Sequence, residues 1–165
     1  MEIKYESIGT IHTPYDEIAA MPIQPRGAYG VRGKITIFPR FIPALNDLEG
    51  FSHIYLIYHF HQVNGWQPLV TPFLDHHQHG LFATRAPKRP NPIGLSIVRL
   101  LGIKEGVLDI ENVDILNGTP LLDLKPYVPD FDQFEVDSIG WLQTTSQHVN
   151  STRSDHRFSS KDQPD

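Results

Sequence analysis

The sequence predicts an all-β, β-dominated domain, folded as a small barrel or sandwich with short helical insertions. Short runs of alternating or β-branched residues are separated by glycine, proline and asparagine, which is typical of strands and turns. No long stretch repeats its apolar residues at the helical period, and no segment recurs along the chain. These observations exclude a helical bundle or a repeat protein and leave a closed or stacked sheet.

Size and composition favour one domain in a reducing compartment. A chain of 165 residues can bury most of its apolar surface, and without cysteine it has neither disulfides nor thiolate zinc sites. The N-terminus lacks the apolar core of a signal peptide, and no run approaches the length of a membrane span. We therefore expect a soluble cytoplasmic protein without a membrane partner. The net charge of −5 argues against bulk electrostatic coating of nucleic acid but leaves room for local basic patches.

Seven segments have the character of strands. They are residues 3–12, 34–38, 51–62, 80–84, 95–103, 107–116 and 121–126. The first loses its alternation at Ser7, which suggests a bulge. Residues 51–62 are apolar on both alternate sets, as expected for a strand buried on both faces or central in a barrel. Residues 104–106 form a turn that pairs the fifth and sixth segments as a hairpin.

The remaining segments are predicted as a short helix, a long loop and a tail. Residues 43–50 favour a short helix with Pro43 in its first turn, and Pro129 is predicted to break the chain after the last strand. Residues 21–33 form a loop too long to be a simple connector. Residues 143–165 have few large apolar groups, so we predict a barrel domain at 1–142 followed by a polar tail that is mobile or docked on a partner.

Residues 82–96 form the most unusual stretch. It reads FATRAPKRPNPIGLS and places three cations and three prolines between two apolar runs. Because each proline restricts its own φ and the residue before it, the loop is stiff and loses little entropy on binding. It is either a functional loop that holds polar groups toward a ligand or a turn whose cations only solvate it.

Other candidate chemistry is weaker. His59 and His61 share a strand face, and residues 76–79 contain three more histidines, but neither spacing fixes a third ligand, so we predict no metal site. The usual nucleotide-binding motifs and the G-x-S-x-G elbow are absent. Asp123, Lys125 and Tyr127 project to one strand face, which is more often a solvated face than an acid-base cluster.

Four motifs, in order, carry a resemblance to a known family. They are IGTIHTPY from Ile8, EGFSHIYLIYHFHQ from Glu49, FATRAPKRPNPIGLS from Phe82 and DILNGTPLLDLKPY from Asp114. The chain closely resembles, over residues 2–132, the S-adenosylmethionine-binding TsaA-like proteins, whose best-understood members are TrmO-type tRNA methyltransferases. The resemblance implies a β-barrel methyltransferase, unlike the Rossmann type, that acts as a homodimer with S-adenosylmethionine held near the subunit boundary.

The resemblance also implies site residues. In TrmO-type members the methyl group goes to the exocyclic nitrogen of threonylcarbamoyladenosine beside the tRNA anticodon. The implied cofactor contacts are Gln24, Pro25, Arg26, Gly27, His61, Gln62, Arg85, Leu95, Ile115, Leu116, Asn117 and Gly118. A guanidinium fork suits the cofactor carboxylate, for which Arg85 and Arg26 are alternatives. Many family members have aspartate where this chain has Asn117, so one negative charge is missing here.

Proton removal and RNA contact are assigned on the same basis. The acceptor nitrogen must lose a proton, for which we nominate Asp123 or Tyr127, and Lys88 and Arg89 are placed to meet RNA phosphate. The alternative is a protein of the same fold that binds S-adenosylmethionine but modifies a different acceptor or none. A third interpretation is a histidine-rich metal protein.

Overall fold

A closed barrel of six antiparallel strands organises the protein. It is described here over residues 1–158 from a computed structural model. Residues 1–158 contain eight strands: β1 (Gly9–His12), β2 (Arg32–Ile37), β3 (His53–His59), β4 (Leu69–Val70), β5 (His79–Gly80), β6 (Ile93–Lys104), β7 (Val107–Glu111) and β8 (Thr119–Pro126). The barrel order is β1-β2-β7-β6-β3-β8, and pairing of β1 with β8 closes it. Strands β4 and β5 form a separate two-stranded ribbon. The predicted all-β barrel is therefore confirmed.

Side chains from one face of each of the six barrel strands fill the barrel interior. Along β6 buried and exposed residues alternate from Ile93 to Leu100, as the two-residue period of a strand requires. The interior side chains are aliphatic and fully buried: Ile11, Ile35, Ile54, Leu56, Val98, Leu108, Ile110 and Leu121. Burial of this apolar set is the main force that holds the barrel closed.

Strand β3 is central, with β6 on one side and β8 on the other. Its inward residues are buried and its outward residues are only partly exposed, which explains why the sequence is apolar on both alternate sets. A register shift between Ile57 and Tyr58 marks a bulge against β8. Ser7, where the sequence suggested a bulge, instead precedes β1 and is not part of a strand. Its hydroxyl donates to the carbonyls of Gly9 and Leu121.

Two predicted elements differ in kind from the structure, and the strands predicted at 3–12, 51–62 and 107–116 are shorter there, as β1, β3 and β7. Residues 43–50 are not one helix but parts of two 3₁₀ segments, Pro39–Leu45 and Leu48–Gly50, because prolines and the left-handed φ of Asp47 interrupt the α-helical pattern. The strand predicted at 80–84 is wrong beyond β5, since Leu81–Ala83 form a 3₁₀ turn. The backbone N–H and the hydroxyl of Thr84 both donate to the carbonyl of Leu81 and close this turn.

Two turns behave as their sequences require. Strands β6 and β7 form the predicted hairpin, with Glu105 and Gly106 both at positive φ, as a tight two-residue turn demands. Pro129, expected to break the chain, instead begins the four-residue helix α1 (Pro129–Asp132), because proline is well tolerated in a first helical turn.

The segment after α1 returns to the barrel. Arg153 forms a β-bridge with Pro22, and the backbone N–H of Ser154 donates to the carbonyl of Met21. Phe158 is buried against Phe73, with ring centroids 5.2 Å apart. Residues 143–158 of the predicted tail are therefore docked on the same chain, residues 159–165 lie outside the described part, and the predicted boundary at 142 stays a prediction. No helix within residues 1–158 is long and apolar enough to cross a membrane.

Candidate functional site

A cavity of about 970 Å³ opens at one end of the barrel, where β3 and β7 end and β6 and β8 begin. Its volume lies at the upper end of the range typical of small-molecule sites. Four further segments complete it: the loop before β2, residues 72–74, the loop at residues 82–89, and the C-terminal residues 141–158, which we call the C-terminal wall. Antiparallel pairing places the ends of β3 and β7 beside the starts of β6 and β8, although these positions are distant in sequence.

Eight of the twelve predicted cofactor residues line this cavity. They are Gln24, Arg26, His61, Gln62, Arg85, Leu95, Ile115 and Leu116. The other four, Pro25, Gly27, Asn117 and Gly118, are chain neighbours of lining residues but are not part of the lining. The structure therefore brings four separate sequence segments to one cavity, and the roles of the individual residues stay predictions.

Arg85 and Gln24 meet directly. The Arg85 guanidinium donates to the Gln24 side-chain oxygen over 2.7 Å, which ties the 82–89 loop to the loop before β2. Gln24 precedes the 3₁₀ segment Pro25–Ala28, whose proline at the first position fixes the turn. Arg85 is exposed and lines the cavity, so its remaining donors can reach a ligand there.

Asn117 has a structural partner that explains its side chain. Its amide nitrogen donates to the Asp16 carboxylate over 2.8 Å, and its amide oxygen accepts from the backbone N–H of Thr13. An aspartate here would place two carboxylates side by side, which costs free energy. Asparagine at this position therefore suits Asp16, and the turn that carries Ile115 and Leu116 is anchored to the first loop.

His61 is the titratable cavity residue that the sequence singled out. Burial, and to a smaller extent the neighbouring His59, lower the pKa of its imidazole. The Thr119 hydroxyl lies 3.4 Å from its Nδ1. The neutral form of His61 is thus favoured at neutral pH, and the ring presents one donor and one acceptor.

The second histidine cluster is held by Asp75. The Asp75 carboxylate contacts His77 Nδ1 at 3.0 Å and His79 Nε2 at 2.8 Å, and these hydrogen bonds keep the pKa of Asp75 well below its usual range. Within residues 1–158 no group of three or more histidine, cysteine, aspartate or glutamate side chains is arranged to hold a metal ion. The cluster stabilises the loop that leads into β5.

A polar chain that the sequence analysis did not connect lies in what we call the barrel wall, formed by Tyr58, Gly94, Ser96 and Asp114. Ser96 Oγ donates to Asp114 Oδ1 over 2.7 Å and lies 3.1 Å from the Tyr58 hydroxyl. Ser96 is 2% exposed and Tyr58 5% exposed. Because the serine proton goes to Asp114, the tyrosine hydroxyl donates to serine.

Asp114 is the most perturbed carboxyl of the cavity. Burial raises its pKa to about 6, against smaller opposing effects of the Ser96 hydrogen bond, its own backbone N–H and the Arg85 charge. Gly94, opposite Tyr58 in the ladder, allows this arrangement, since a Cβ there would overlap the Tyr58 ring. In the sequence Asp114 stands out only as the first residue of the DILNGTPLLDLKPY motif, because its partners are 18 residues and more away.

The predicted proton acceptors lie elsewhere. Asp123 is on the outer side of β8 and forms an ion pair with Lys125 at 2.8 Å. Tyr127 packs edge-on against Tyr55, with ring centroids 5.6 Å apart. Neither residue lines the cavity of a single chain.

The two cations proposed for RNA contact differ in environment. Arg89 donates to the carbonyls of Thr84, Ala86 and Leu81 and lines the cavity, so it braces its own loop. Lys88 is half-buried beside it and is not part of the lining. Lys88 is thus the better placed of the two for an outside partner.

The C-terminal wall closes the side of the cavity opposite the barrel. Trp141 Nε1 donates to the carbonyl of Ala83 over 2.9 Å, and its ring stacks on His79 with centroids 4.5 Å apart. Trp141, Val149 and Phe158 give this wall an apolar surface. The sequence analysis treated this segment as a tail because its apolar residues are few and show no period.

The protein is thus a closed six-stranded β-barrel that carries a ligand-sized cavity at one end. Loops and the C-terminal wall bound this cavity. The profile of the tRNA-methyltransferase O N-terminal domain family matches residues 10–133. The chain belongs to this family.

Individual relatives agree with that assignment. The chain is 51% identical to a probable S-adenosyl-L-methionine-binding protein of Pyrococcus abyssi, over 94% of this chain and 85% of that protein. It is 36% identical to the tRNA (adenine(37)-N6)-methyltransferase of Escherichia coli, over 86% of this chain and 64% of that protein. The crystal structure of TrmO from Pseudomonas aeruginosa superposes with a TM-score of 0.72 at 39% identity, covering 86% of this chain and 63% of that one.

Proposed function

We propose that the protein is an S-adenosylmethionine-dependent tRNA methyltransferase that methylates the exocyclic N6 of adenosine 37 carrying a threonylcarbamoyl group. The observation that carries the proposal is the convergence of four predicted cofactor segments on one cavity, in a chain of this family. The names of relatives that bind S-adenosylmethionine or methylate adenine 37 of tRNA support the same assignment. Because the chain spans only 64% of the E. coli enzyme, the activity of that whole protein is carried over as part of the proposal.

The residues present fit S-adenosylmethionine. The cavity has the volume for an adenosyl ligand, and its apolar side chains suit the adenine while polar groups line one side. Arg85 or Arg26 would hold the carboxylate, and the Ile115 and Leu116 backbone would face the adenine. When bound, the group supplies an electrophilic methyl on a sulfonium.

The chain itself contributes positioning. In-line methyl transfer needs little covalent help, so holding both reactants in line supplies much of the acceleration. The Arg85–Gln24 hydrogen bond and the proline-restricted loop keep the cavity side chains in place before a ligand arrives. The apolar C-terminal wall keeps water out of the same space.

For the tRNA we propose a local contact rather than a broad basic face, since the chain carries a net charge of −5. Lys88, with Arg89 bracing its loop, would meet a phosphate beside the cavity. The proposed location is the cytoplasm, where such a substrate is available.

We further propose a homodimer. The outer face of β6 exposes Ile93, Leu95, Ile97 and Leu101, with Leu95 54% exposed, although Leu95 also lines the cavity. A second copy on this apolar stripe would bury it and complete the cavity edge. Sedimentation of Ile97→Asp should then show a monomer, and Lys104→Glu at the strand end, beyond the stripe, should remain a dimer. A monomeric parent protein would end this part of the proposal.

A second candidate function is a protein of the same fold that binds S-adenosylmethionine but acts on a different acceptor or on none. The name of the P. abyssi relative, which covers 94% of this chain, mentions binding alone. The negative net charge also favours this candidate over a tRNA enzyme.

One experiment separates the two. The protein is incubated with methyl-labelled S-adenosylmethionine and tRNA that carries or lacks the threonylcarbamoyl group, and label in the RNA is counted. Label in the modified tRNA alone supports the first function. Calorimetric binding of S-adenosylmethionine without transfer to either RNA supports the second. As a matched control, Lys88→Ala should keep cofactor affinity and lose transfer at low tRNA concentration, because it removes a proposed phosphate contact outside the cavity.

A further inference from the structure

We propose that Asp114 is the catalytic base of the methyl transfer, and that Ser96 and Tyr58 are the residues that position it. The inference rests on the proposed function, since it names the group that takes the proton in that reaction. It replaces neither the cofactor contacts nor the RNA contacts proposed above.

The first argument is the state of the carboxylate. Asp114 lines the cavity and accepts a hydrogen bond from Ser96, yet among residues 1–158 it is in no ion pair. Arg85 is near enough for its charge to influence Asp114, but its guanidinium donates to Gln24. A partly buried carboxylate without an ion pair costs free energy, and such a cost is typical of functional sites.

The second argument is the direction of the hydrogen-bond chain. Tyr58 donates to Ser96, and Ser96 donates to Asp114 Oδ1, so this oxygen is held, and among residues 1–158 no other side chain donates to the carboxylate. Burial of Tyr58 raises its pKa, which keeps the phenol protonated and able to donate. The chain orients the carboxylate by side chains fixed on β3 and β6, the rigid part of the fold.

The third argument is proton affinity. With a pKa of about 6, Asp114 is ionised at neutral pH but accepts a proton more readily than an ordinary carboxylate. Asp123, by contrast, is paired with Lys125 outside the cavity. Asp114 thus combines a place in the cavity lining with a raised proton affinity.

The balanced step is as follows. The N6 nitrogen forms a bond to the methyl carbon, the bond between that carbon and sulfur breaks, and its electron pair stays on sulfur, which becomes a neutral thioether. The N6 proton passes to the second oxygen of Asp114 and leaves to solvent afterwards. No oxidant, metal or further reactant is required.

The central test compares Asp114→Asn with the parent protein in single-turnover transfer to threonylcarbamoyl tRNA. Asparagine keeps the oxygen that accepts from Ser96 but cannot take a proton. We expect the rate to fall at least about 100-fold while the calorimetric affinity for S-adenosylmethionine changes less than about threefold. A rate within about fivefold of the parent protein overturns the inference. So does a parallel loss of cofactor affinity, which would make Asp114 a cofactor ligand.

The positioning role has its own readout. Ser96→Ala removes the hydrogen bond that favours the ionised carboxylate, so the pKa of Asp114 should rise and the acidic limb of the rate profile should move to higher pH. His61 titrates in the same cavity, and Arg85, Tyr15 and Tyr58 also face Asp114. A shift of the acidic limb of the rate profile therefore does not by itself identify Asp114 as the group that titrates.

Carboxyl NMR of aspartate-labelled protein without ligand removes that ambiguity, because it observes carboxyls and not imidazoles. We expect one aspartate titrating near pH 6 in the parent protein, absent in Asp114→Asn and shifted upward in Ser96→Ala. An unshifted midpoint in Ser96→Ala overturns the positioning role. If the parent protein transfers no methyl group to any tRNA, the proposed function fails and the base falls with it. Failure of Asp114→Asn to slow an active parent protein overturns the base alone.

Discussion

The two sides of the cavity are built in opposite ways. The barrel wall, with Tyr58, Gly94, Ser96 and Asp114, lies on or beside strands that pair on both edges, and its neighbours are fully buried. The C-terminal wall, residues 141–158, contains short 3₁₀ turns and is joined to the rest of the chain by hydrogen bonds at Trp141, Ser154 and Arg157, a single β-bridge and one buried ring. We infer that changes beneath the barrel wall are felt by the whole fold, whereas changes in the C-terminal wall stay local.

The largest expected effect is on the free energy of unfolding, where two core substitutions should separate global from local unfolding. Leu56→Ala, in the barrel core at 0% exposure, should lower the free energy of unfolding by about 2 to 5 kcal/mol because it leaves a cavity in a closed sheet. Phe158→Ala should change the global free energy of unfolding by less than about 1 kcal/mol, since its ring packs in the small cluster with Phe73, Val70, Leu81 and Ala86, apart from the barrel core.

Urea denaturation measures the global term, and tryptic cleavage after Arg153 measures local release of the C-terminal wall. Phe158→Ala should be cleaved faster than the parent protein at an almost unchanged urea midpoint. Equal global losses in the two variants would show that the C-terminal wall unfolds together with the barrel.

The next effect concerns ligand affinity. Arg85→Ala should weaken S-adenosylmethionine binding by about 1.5 to 3 kcal/mol, the range for a hydrogen bond to a charged group. Lys88→Ala is the matched control in the same loop, because it removes a cation that does not line the cavity. Calorimetry measures the S-adenosylmethionine affinity of both variants. If Arg85→Ala and Lys88→Ala bind equally well, Arg85 only braces Gln24 and does not contact the cofactor.

The barrel wall should also show a conflict between function and stability. The pKa of Asp114 is about 6 in the folded protein and ordinarily 3.8, so its burial costs stability above pH 6, and that cost disappears as pH falls toward 3.8. Asparagine cannot ionise. Asp114→Asn should therefore be more stable than the parent protein by about 1 to 3 kcal/mol at pH 7, with most of the difference gone near pH 4.

Denaturation of both proteins at the two pH values checks this, and the comparison cancels the other acids. Asp75 and Asp155 have lowered pKa values and lose stabilisation on acidification, but they do so equally in both proteins. A difference that grows toward acid would have the wrong sign and would mean that Asp114 is not a destabilising buried carboxylate.

The same contrast explains what could be predicted from sequence. Strand β6 and the β6–β7 turn follow from local patterns: alternation along residues 95–103 and a tight turn at Glu105 and Gly106. Local patterns also misled, since the run at 80–84 has the character of a strand but folds as a 3₁₀ segment after Gly80. Barrel closure followed from the absence of helical periodicity together with the family resemblance.

The site was less accessible to sequence reasoning. The resemblance supplied residues that converge on the cavity, including Arg85 and Gln24, whose contact joins positions 61 residues apart. The Tyr58–Ser96–Asp114 chain depends on strand register, which places Tyr58 opposite Gly94 and which no local pattern reveals. Phe158 is a lone aromatic residue in a polar stretch, so only the fold shows that it is buried.

The smallest effect tests how the C-terminal wall is attached. Trp141 Nε1 donates to the Ala83 carbonyl, and the same ring stacks on His79. Trp141→Phe keeps an aromatic ring but removes the donor, so it should weaken local closure of the segment by about 0.5 to 1.5 kcal/mol. Hydrogen exchange over residues 141–150 should speed up accordingly while exchange in β3 is unchanged. If β3 also exchanges faster, the C-terminal wall supports the barrel, and the division between a rigid and a local wall is wrong.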